Sequence, residues 1–314
     1  MELINHTPYS HLLFGTALED DRFAAAAMLR VTYDIHSDGS AVQTNEHLLP
    51  LSKMIRNTQY GQVESDFIFK RDGVDILVFG KAIALGGRAT TQMEVTVRVG
   101  EQINHRVMVF GDRHWTKNLT YTRPKPFTEM PITLFNSYGG TTLWDGLDVS
   151  FPRNPFGKGY YIEEEEAIGK PLPNIEAPLS LIEKWNDSPL PVGFVQCPRV
   201  NRLEGNIEYN EMTITKIKHR FFNYAFPEMI ADEIKPRDCV EIYGVTVDND
   251  FKFVIPDHKL FTEIKLGDKI IERRLLIDQI GIFPNINKAF ISYRFPFRYV
   301  FEPLQKRICS LYET

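Results

Sequence analysis

The chain has 314 residues, of which 43% are hydrophobic and 25% are charged, and its formal net charge is −5. This composition excludes long disordered stretches, and the acidic balance lacks the basic footprint that nucleic-acid-binding proteins carry. Chains of this length usually divide into more than one hydrophobic core. We therefore expect two β-rich domains or one two-lobed body.

The first third of the chain carries strong strand patterns. Apolar residues occupy every second position in residues 91–99, and a second alternating run in residues 103–109 follows a glycine-containing break, which predicts a β-hairpin. Residues 74–85 form a further apolar run that ends at a double glycine, and residues 23–35 form another. We therefore predict an N-terminal β domain over residues 1–120.

The chain shows no targeting segment and no cysteine framework. Residues 1–6 lack a basic region followed by an apolar core, and the apolar run in residues 23–29 is far too short to span a bilayer. Cys197, Cys239 and Cys309 are odd in number and match neither a disulfide framework nor a zinc-site spacing. We expect a soluble cytoplasmic protein without membrane insertion, metal or cofactor. Cys197 is interpreted as a small buried residue rather than a reactive thiol.

The middle of the chain is rich in proline. Eleven of the nineteen prolines fall between residues 121 and 200. Proline removes an amide donor and restricts φ, so this region cannot be a continuous sheet or helix. Aromatic residues are nevertheless spread through it, which is not typical of a linker. We predict an ordered loop belt over residues 121–200, with one short helix near residues 179–185.

Strand patterns return in the last third, where each pair of strands flanks a short polar turn. The two predicted hairpins are residues 239–247 with 251–255, around Asn249, and residues 270–282 with 289–299. We predict a C-terminal β domain over residues 201–314. The predicted fold class is mostly β, with antiparallel β-sandwich or barrel-like domains, few short helices and the loop belt between the domains.

The most enzyme-like segment ends at Trp115. Asp112, Arg113 and His114 could supply an acid–base pair with a cationic clamp. No nucleophile or metal ligand lies at a recognisable spacing from them in the sequence. We therefore favour a structural interpretation, in which Asp112 and Arg113 pair with each other and with the backbone at a strand end, beside a buried Trp115.

One strand pattern indicates binding. Between residues 291 and 301, apolar and aromatic side chains occupy every second position, and Pro296 lies on the opposite face. Because proline cannot donate a ladder hydrogen bond, this strand is expected toward a sheet edge, where a partner segment could add as a further strand. We predict that Tyr293 and Phe297 lie near a docking surface. The alternative is that these aromatic side chains fill the C-terminal core.

Short motifs in a fixed order resemble a known bacterial family. The chain resembles the domain of unknown function 2169 family over residues 1 to about 255. The residues that carry the resemblance are residues 1–8, Gly111, Asp112 and Arg113 with Trp115, residues 126–131, residues 138–141, residues 154–159 with Asn154, Pro155, Gly157 and Gly159, residues 172–176, and residues 221–225 with Asn223.

The resemblance implies an adaptor or chaperone role. Members of this family occur beside type VI secretion genes and are thought to bind a toxic effector in the cytosol and to help load it onto the VgrG spike or its PAAR-type tip. The implied partners are therefore a secreted effector and VgrG/PAAR spike proteins, without nucleic acid. No catalytic residues are established for the family, so none are implied here.

Aromatic side chains of the loop belt are the predicted contact residues. An adaptor needs exposed aromatic surface with few fixed charges, and Trp144, Phe156, Tyr160 and Tyr161 are the candidates. The alternative is that they pin the belt to the sheets. Two rival functions stay open: a hydrolase-like enzyme that uses residues 112–114, and a carbohydrate-binding β-sandwich module with exposed aromatic rings.

Overall fold

A computed structural model describes residues 1–19, 21–210, 213–248 and 250–314, and these residues are mostly β, as predicted. The strands are β1 (Glu2–Asn5), β2 (Ser10–Ala17), β3 (Arg22–Ile35), β4 (Ala41–Thr44), β5 (Arg56–Thr58), β6 (Gly61–Val63), β7 (Val74–Val78), β8 (Lys81–Ile83), β9 (Gln92–Val99), β10 (Ile103–Phe110), β11 (Glu129–Pro131), β12 (Tyr138–Gly139), β13 (Thr141–Trp144), β14 (Leu147–Ser150), β15 (Lys158–Gly159), β16 (Ile175–Glu176), β17 (Ile207–Asn210), β18 (Thr213–Ile217), β19 (Ile230–Ala231), β20 (Cys239–Tyr243), β21 (Phe251–Val254), β22 (Leu260–Leu266), β23 (Lys269–Arg274), β24 (Leu276–Phe283), β25 (Lys288–Val300) and β26 (Arg307–Glu313).

Helical structure is short. The α-helix α1 spans Glu164–Ala167, and single 3-10 turns occupy Leu85–Gly87, Leu134–Asn136, Arg199–Arg202, His219–Phe222, Pro227–Met229 and Pro284–Ile286. Within the described ranges, no helix has the length and apolar character needed to cross a bilayer.

Three large sheets form the framework. The first has the strand order β19-β7-β24-β25-β3-β2, and β4 pairs with β3 beside it. The second has the order β16-β10-β9-β20-β21, and the third the order β1-β26-β22-β23. Each of these sheets has two edge strands, so none of them closes into a barrel. Most neighbours are antiparallel, but β1 with β26, β7 with β24 and β12 with β15 are parallel.

Strands from both ends of the chain share these sheets. Strand β25 pairs with β3 along the whole length of β25, from Lys288 opposite Asp34 to Val300 opposite Arg22, and β9 pairs with β20. The largest hydrophobic cluster accordingly combines early and late residues, such as Val31, Val97 and Ile282. The predicted boundaries at residues 120 and 200 therefore do not coincide with sheet boundaries, because strands before residue 120 and strands after residue 200 belong to the same sheets.

The local strand patterns are largely confirmed. Strands β3, β9 and β10 match the predicted runs, and Val99 lies opposite Ile103 at the predicted hairpin. The hairpin of β24 with β25 across the 3-10 turn Pro284–Ile286 is also confirmed. Strand β20 pairs with β21 as predicted, although Asn249 in the turn between them lies outside the described residues. The run predicted over residues 74–85 is divided between β7 and β8.

The prediction of one strand over residues 270–282 is wrong. The run consists of β23 and β24, which belong to different sheets. Leu275 lies between them, is 2% exposed, and donates its N–H to the carbonyl oxygen of Leu260 at 2.9 Å. The chain changes sheets at a buried leucine with neither glycine nor proline to mark the change, so the sequence pattern continues across it.

The helix predicted near residues 179–185 is also wrong. This segment is irregular because side-chain carboxylates take up its backbone N–H groups. Ile182 donates to Glu176 Oε2 at 2.8 Å, and the N–H groups of Glu183 and Lys184 donate to Asp187 Oδ2 at 2.9 and 2.8 Å. With these donors used, helical i to i−4 bonds do not form.

A buried charge network crosses the interior of the first sheet. It contains three arginines and three aspartates, so its formal charges balance, and each residue is at most 7% exposed. Its members are Arg30, Arg71 and Arg294 with Asp66, Asp75 and Asp278. Buried charges are tolerated when opposite charges accompany them, and each charge of this network lies within 4 Å of an opposite one, although Arg71 Nε and Nη2 make no hydrogen bond. It joins β3, β7, β24 and β25 to the loop before β7.

Candidate docking surface

Arg113 fixes the loop belt to the second sheet. Its side chain is buried, its guanidinium carbon lies 4.0 Å from the centroid of the Phe110 ring, and it pairs with Glu176 on β16. It also donates to the carbonyl oxygen of Pro173 at 2.9 Å. Burial raises the pKa of the Glu176 carboxyl, and Arg113 opposes this shift only in part. Because neither charge can be buried alone, the pair holds β16 against β10.

The predicted pairing of Asp112 with Arg113 is wrong. Arg113 points inward to Glu176, whereas Asp112 is exposed and accepts a hydrogen bond from Asn174 at 3.3 Å. His114 is half-buried, and its backbone N–H bonds the Thr122 hydroxyl. The structure therefore does not bring residues 112–114 together as an acid–base cluster.

The loop belt has a small core of its own. Trp115, which precedes the belt, belongs to this core and is 2% exposed, as predicted. Tyr160 and Tyr161 are half-buried against this core, and the Tyr161 hydroxyl donates to the carbonyl oxygen of Pro171 at 2.7 Å. These two tyrosines therefore fit the alternative in which they pin the belt. The buried members of the cluster are Trp115, Tyr138, Phe151, Ala167, Leu172 and Ile182.

The loop at residues 154–159 is shaped by a buried asparagine. The Asn154 side chain is fully buried and donates to the carbonyl oxygens of Leu134 and Tyr138 at 2.8 and 3.0 Å. A Cβ at Gly157 would lie 2.5 Å from the Asn154 side-chain nitrogen, and Gly159 has a φ of +101°. Only glycine fits this close approach and this left-handed backbone.

This loop carries an exposed aromatic pair. Phe156 follows exposed Pro155 and is 64% exposed. Its ring lies edge-on to that of Phe135, with centroids 6.0 Å apart, and Phe135 is 63% exposed. The predicted candidate Phe156 thus lies on the surface, beside an aromatic residue that sequence reasoning missed.

A second apolar projection is the hairpin of β13 and β14, here called the tip hairpin. Asp145 and Gly146 form its two-residue turn with φ of 47° and 76°, the left-handed pattern that such turns require. Trp144 lies opposite Leu147 across the hairpin, and both are exposed, as is Leu143. Sequence reasoning missed the two leucines, although the Asp-Gly dipeptide between apolar residues is a hairpin signal.

Strand β25 lies in two different environments. Up to Arg294 it lies between β24 and β3, and beyond that residue its only strand partner among the described residues is β3. Tyr293 is 3% exposed, and its hydroxyl lies 3.0 Å from that of Tyr33. For Tyr293 the core alternative is therefore right, and this side chain is not available to a partner. Phe297 is half-buried in the stretch with one free edge.

Two remaining predicted residues are structural. Asn223 is 1% exposed, donates to Asp75 Oδ1 at 3.0 Å and accepts the N–H of Asp72 at 2.9 Å, so it fixes the chain entering β7. Cys197 is buried, as predicted, and burial raises the pKa of its thiol to about 12. A thiol in this state carries little nucleophilic thiolate.

Comparison with known proteins gives a match to one protein family. A family model described as "Uncharacterized protein conserved in bacteria (DUF2169)" matches residues 20–294, which is most of the chain. No curated protein and no solved structure matches the chain.

Proposed function

We propose, from the premise that this chain belongs to the bacterial DUF2169 family of uncharacterized proteins, that it is a cytoplasmic adaptor that binds a secreted effector of a type VI secretion system and helps load it onto the VgrG/PAAR spike. The observation that carries this proposal is the tip hairpin, which holds large apolar side chains in solvent on an ordered base. The resemblance of the sequence motifs to this family supports the secretion context.

The tip hairpin has the properties of a binding hot spot. Trp144 and Leu147 are 48% and 66% exposed, and their cross-strand pairing fixes their relative position. Tryptophan is enriched among the residues that dominate binding energy in protein interfaces. Because the side chains are already ordered on a hairpin, a partner that covers them has less conformational entropy to remove.

The base of the hairpin supports this role. The buried cluster around Trp115 and the Arg113–Glu176 ion pair order the loop belt, whose strands and helix are short. Phe135 and Phe156 add a second exposed apolar patch to the same belt. Exposed aromatic groups held on a rigid base suit recognition of another polypeptide.

We propose binding rather than catalysis because the side chains of the enzyme-like segment, residues 112–114, make structural contacts. Arg113 is committed to Glu176, and Asp112 lies apart from it at the surface. Within the described ranges, no group of three or more His, Cys, Asp or Glu side chains is arranged to hold a metal ion.

The test is affinity purification of the tagged chain from its native cells, followed by mass spectrometry. We expect the wild-type chain to recover an effector together with a VgrG or PAAR protein. The variant Trp144→Ala/Leu147→Ala should recover at least tenfold less of these partners than wild type does, with an unchanged thermal unfolding midpoint. Leu179→Ala is the matched control, because Leu179 is 98% exposed on the same belt but lies outside the tip hairpin.

Two results would overturn the proposal. One is that the wild-type chain recovers no secretion protein from cells that express the secretion genes. The other is that the folded tip-hairpin variant recovers the partners as well as wild type does.

A further inference from the structure

The first sheet has a gap where β24 begins. Leu276, the first residue of β24, lies opposite Arg294 of β25. Just before it, Leu275 bonds to Leu260 and the chain leaves for the third sheet. Strand β25 continues to Val300, so residues 295–300 have β3 on one side and, in the described part of the chain, no strand on the other.

A cleft of about 420 Å³ lies at this gap. Tyr293 and Arg294 both line it, although consecutive residues of a strand point to opposite faces of a sheet. Ile277 and Asp278 of β24 line it in the same way. The cleft therefore contacts both faces of the sheet at β25 and at β24. Such a cleft lies in the plane of the sheet, at the end of β24. We call this space the vacant column.

On the side away from β25, the cleft reaches the start of β7 beside the first residues of β24. Gly73 and Val74 line it, together with residues 232–236 that follow β19. Gly73 and Val74 lie beside Ile277 and Asp278, because the parallel register places Asp75 opposite Gln279, and Pro296 is the residue of the 295–300 stretch that lines the cleft.

We propose that the vacant column receives an extended segment of the partner polypeptide as an added β-strand beside β25. This inference rests on the proposed adaptor function and names its mode of binding. Alternate residues of the 295–300 stretch turn their backbone N–H and C=O groups away from β3, and an added strand pairs with them. Pro296 lacks an N–H, so it contributes only its carbonyl oxygen.

The flanking side chains define the chemistry of the guest segment. On one face, the rings of Phe295, Phe297 and Tyr299 form a row, with the first two stacked at 6.2 Å between centroids. On the other face, the Arg298 guanidinium lies 5.4 Å from the centroid of the Phe69 ring, and Lys70, the next residue in the chain, lines the cleft. Side chains directly opposite one another on neighbouring strands interact, so the guest alternates apolar residues with acidic ones.

The test uses an acetylated peptide of four Val-Glu repeats and the purified full-length chain. We expect saturable binding and slower amide hydrogen exchange at residues 297–300 when the peptide is present. A peptide of the same sequence with alternate backbone nitrogens methylated should not bind, because it cannot pair along an edge. Equal binding of the methylated peptide, or binding without protection of residues 297–300, would overturn the proposal.

A charge-reversal experiment tests the second face. The variant Lys70→Glu/Arg298→Glu should bind the Val-Glu peptide on the order of tenfold more weakly and should gain affinity for a Val-Lys repeat. Arg88→Glu, an exposed residue outside the cleft, is the control and should bind like wild type. Lys70→Glu alone serves as a second variant, since Arg298 also stacks on Phe69 and its loss could affect folding. Unchanged preference in the folded variants contradicts the proposal.

Failure here is distinguishable from failure of the adaptor function. If neither peptide binds but the tagged chain still recovers its partners, strand addition is wrong and the adaptor function stands. Amide protection of residues 297–300 could instead rise with protein concentration when no peptide is present. That result would show that a second copy of this chain pairs with the edge, and it would overturn the proposal that a partner segment does so.

Discussion

The hydroxyl of Tyr33 lies 2.8 Å from Nδ1 of His258 and thereby joins two of the large sheets. Tyr33 belongs to β3 of the first sheet, and His258 lies two residues before the start of β22 of the third. On the other side of the imidazole, Nε2 lies 2.7 Å from Glu313 Oε1 on β26. Tyr293 adds its hydroxyl 3.0 Å from that of Tyr33. This polar chain runs through the core between the two sheets.

Removal of the Tyr33 hydroxyl should destabilise the protein. Tyr33→Phe leaves His258 Nδ1 and the Tyr293 hydroxyl without this shared partner, so we expect a loss of about 1–3 kcal/mol in the free energy of unfolding. Urea denaturation followed by tryptophan fluorescence measures it. The control is Tyr121→Phe, which removes the same atom from an exposed side chain. Equal stability of both variants would show that the polar chain does not contribute.

Neutralising Asp278 should destabilise the protein strongly. Burial raises the pKa of Asp278, but Arg294 and Arg71 together lower it below its ordinary value, so the carboxylate is charged at neutral pH. Asp278→Asn leaves two buried guanidinium groups without this counter-charge, and we expect a loss of about 3 kcal/mol or more.

The matched control for Asp278 is an exposed ion pair. Glu129→Gln removes the carboxylate that pairs with Lys81, where both side chains are about half exposed. Such pairs are screened by water, so we expect a change below about 1 kcal/mol. Similar losses in the two variants, measured by urea denaturation, would contradict the role assigned to the buried network.

The stability of the protein should fall in mild acid through His105. Burial lowers the pKa of His105 below 6.5, and its ring packs edge-on against Phe194 at 5.3 Å. Below pH 6.5 the unfolded chain binds a proton that the folded chain does not, so stability is complete above this pH and decreases as the pH falls toward the folded-state pKa.

Substitution of His105 should weaken this pH dependence. We expect His105→Gln to lose less stability than wild type between pH 8 and pH 5.5, measured by urea denaturation at each pH. His47→Gln, at an exposed position, is the control and should keep the wild-type slope. A His105→Gln variant with the wild-type slope would exclude His105 as the source.

A methyl group at Gly111 should disrupt the start of the loop belt. A Cβ at this position would lie 1.8 Å from the carbonyl oxygen of Lys125, so the two backbone segments would have to separate. We expect Gly111→Ala to cost about 1–3 kcal/mol or more and to lower the thermal unfolding midpoint.

Gly15→Ala is the matched control for Gly111. Nothing lies within 4 Å of the new Cβ at this position on β2, so the same added methyl should be neutral or stabilising by up to about 1 kcal/mol. A Gly111→Ala variant as stable as Gly15→Ala would show that the close approach to Lys125 is not required.

Local patterns predicted much of the fold but less of the candidate site. Alternation of apolar and polar residues predicted β9, β10 and β25, and a continuous apolar run predicted β3, since both patterns are local properties of the chain. The strand pattern also continued through Leu275, where the hydrogen bond to Leu260 and the pairing of β23 and β24 with different strands show that the chain changes sheets. For the site, Trp144 and Phe156 were predicted and are exposed, whereas Tyr293 was predicted at the surface and is buried.

The sequence by itself determined the mostly β class, the proline-rich ordered belt and the resemblance to a bacterial family. The tertiary structure alone decided that Arg113 pairs with Glu176, that β25 lies between β3 and β24 only up to Arg294, and that a cleft of about 420 Å³ opens where β24 begins. The physical reason is distance along the chain. Side-chain period shows which residues share a face of a strand, but the neighbour of each strand is selected by contacts between residues far apart in sequence.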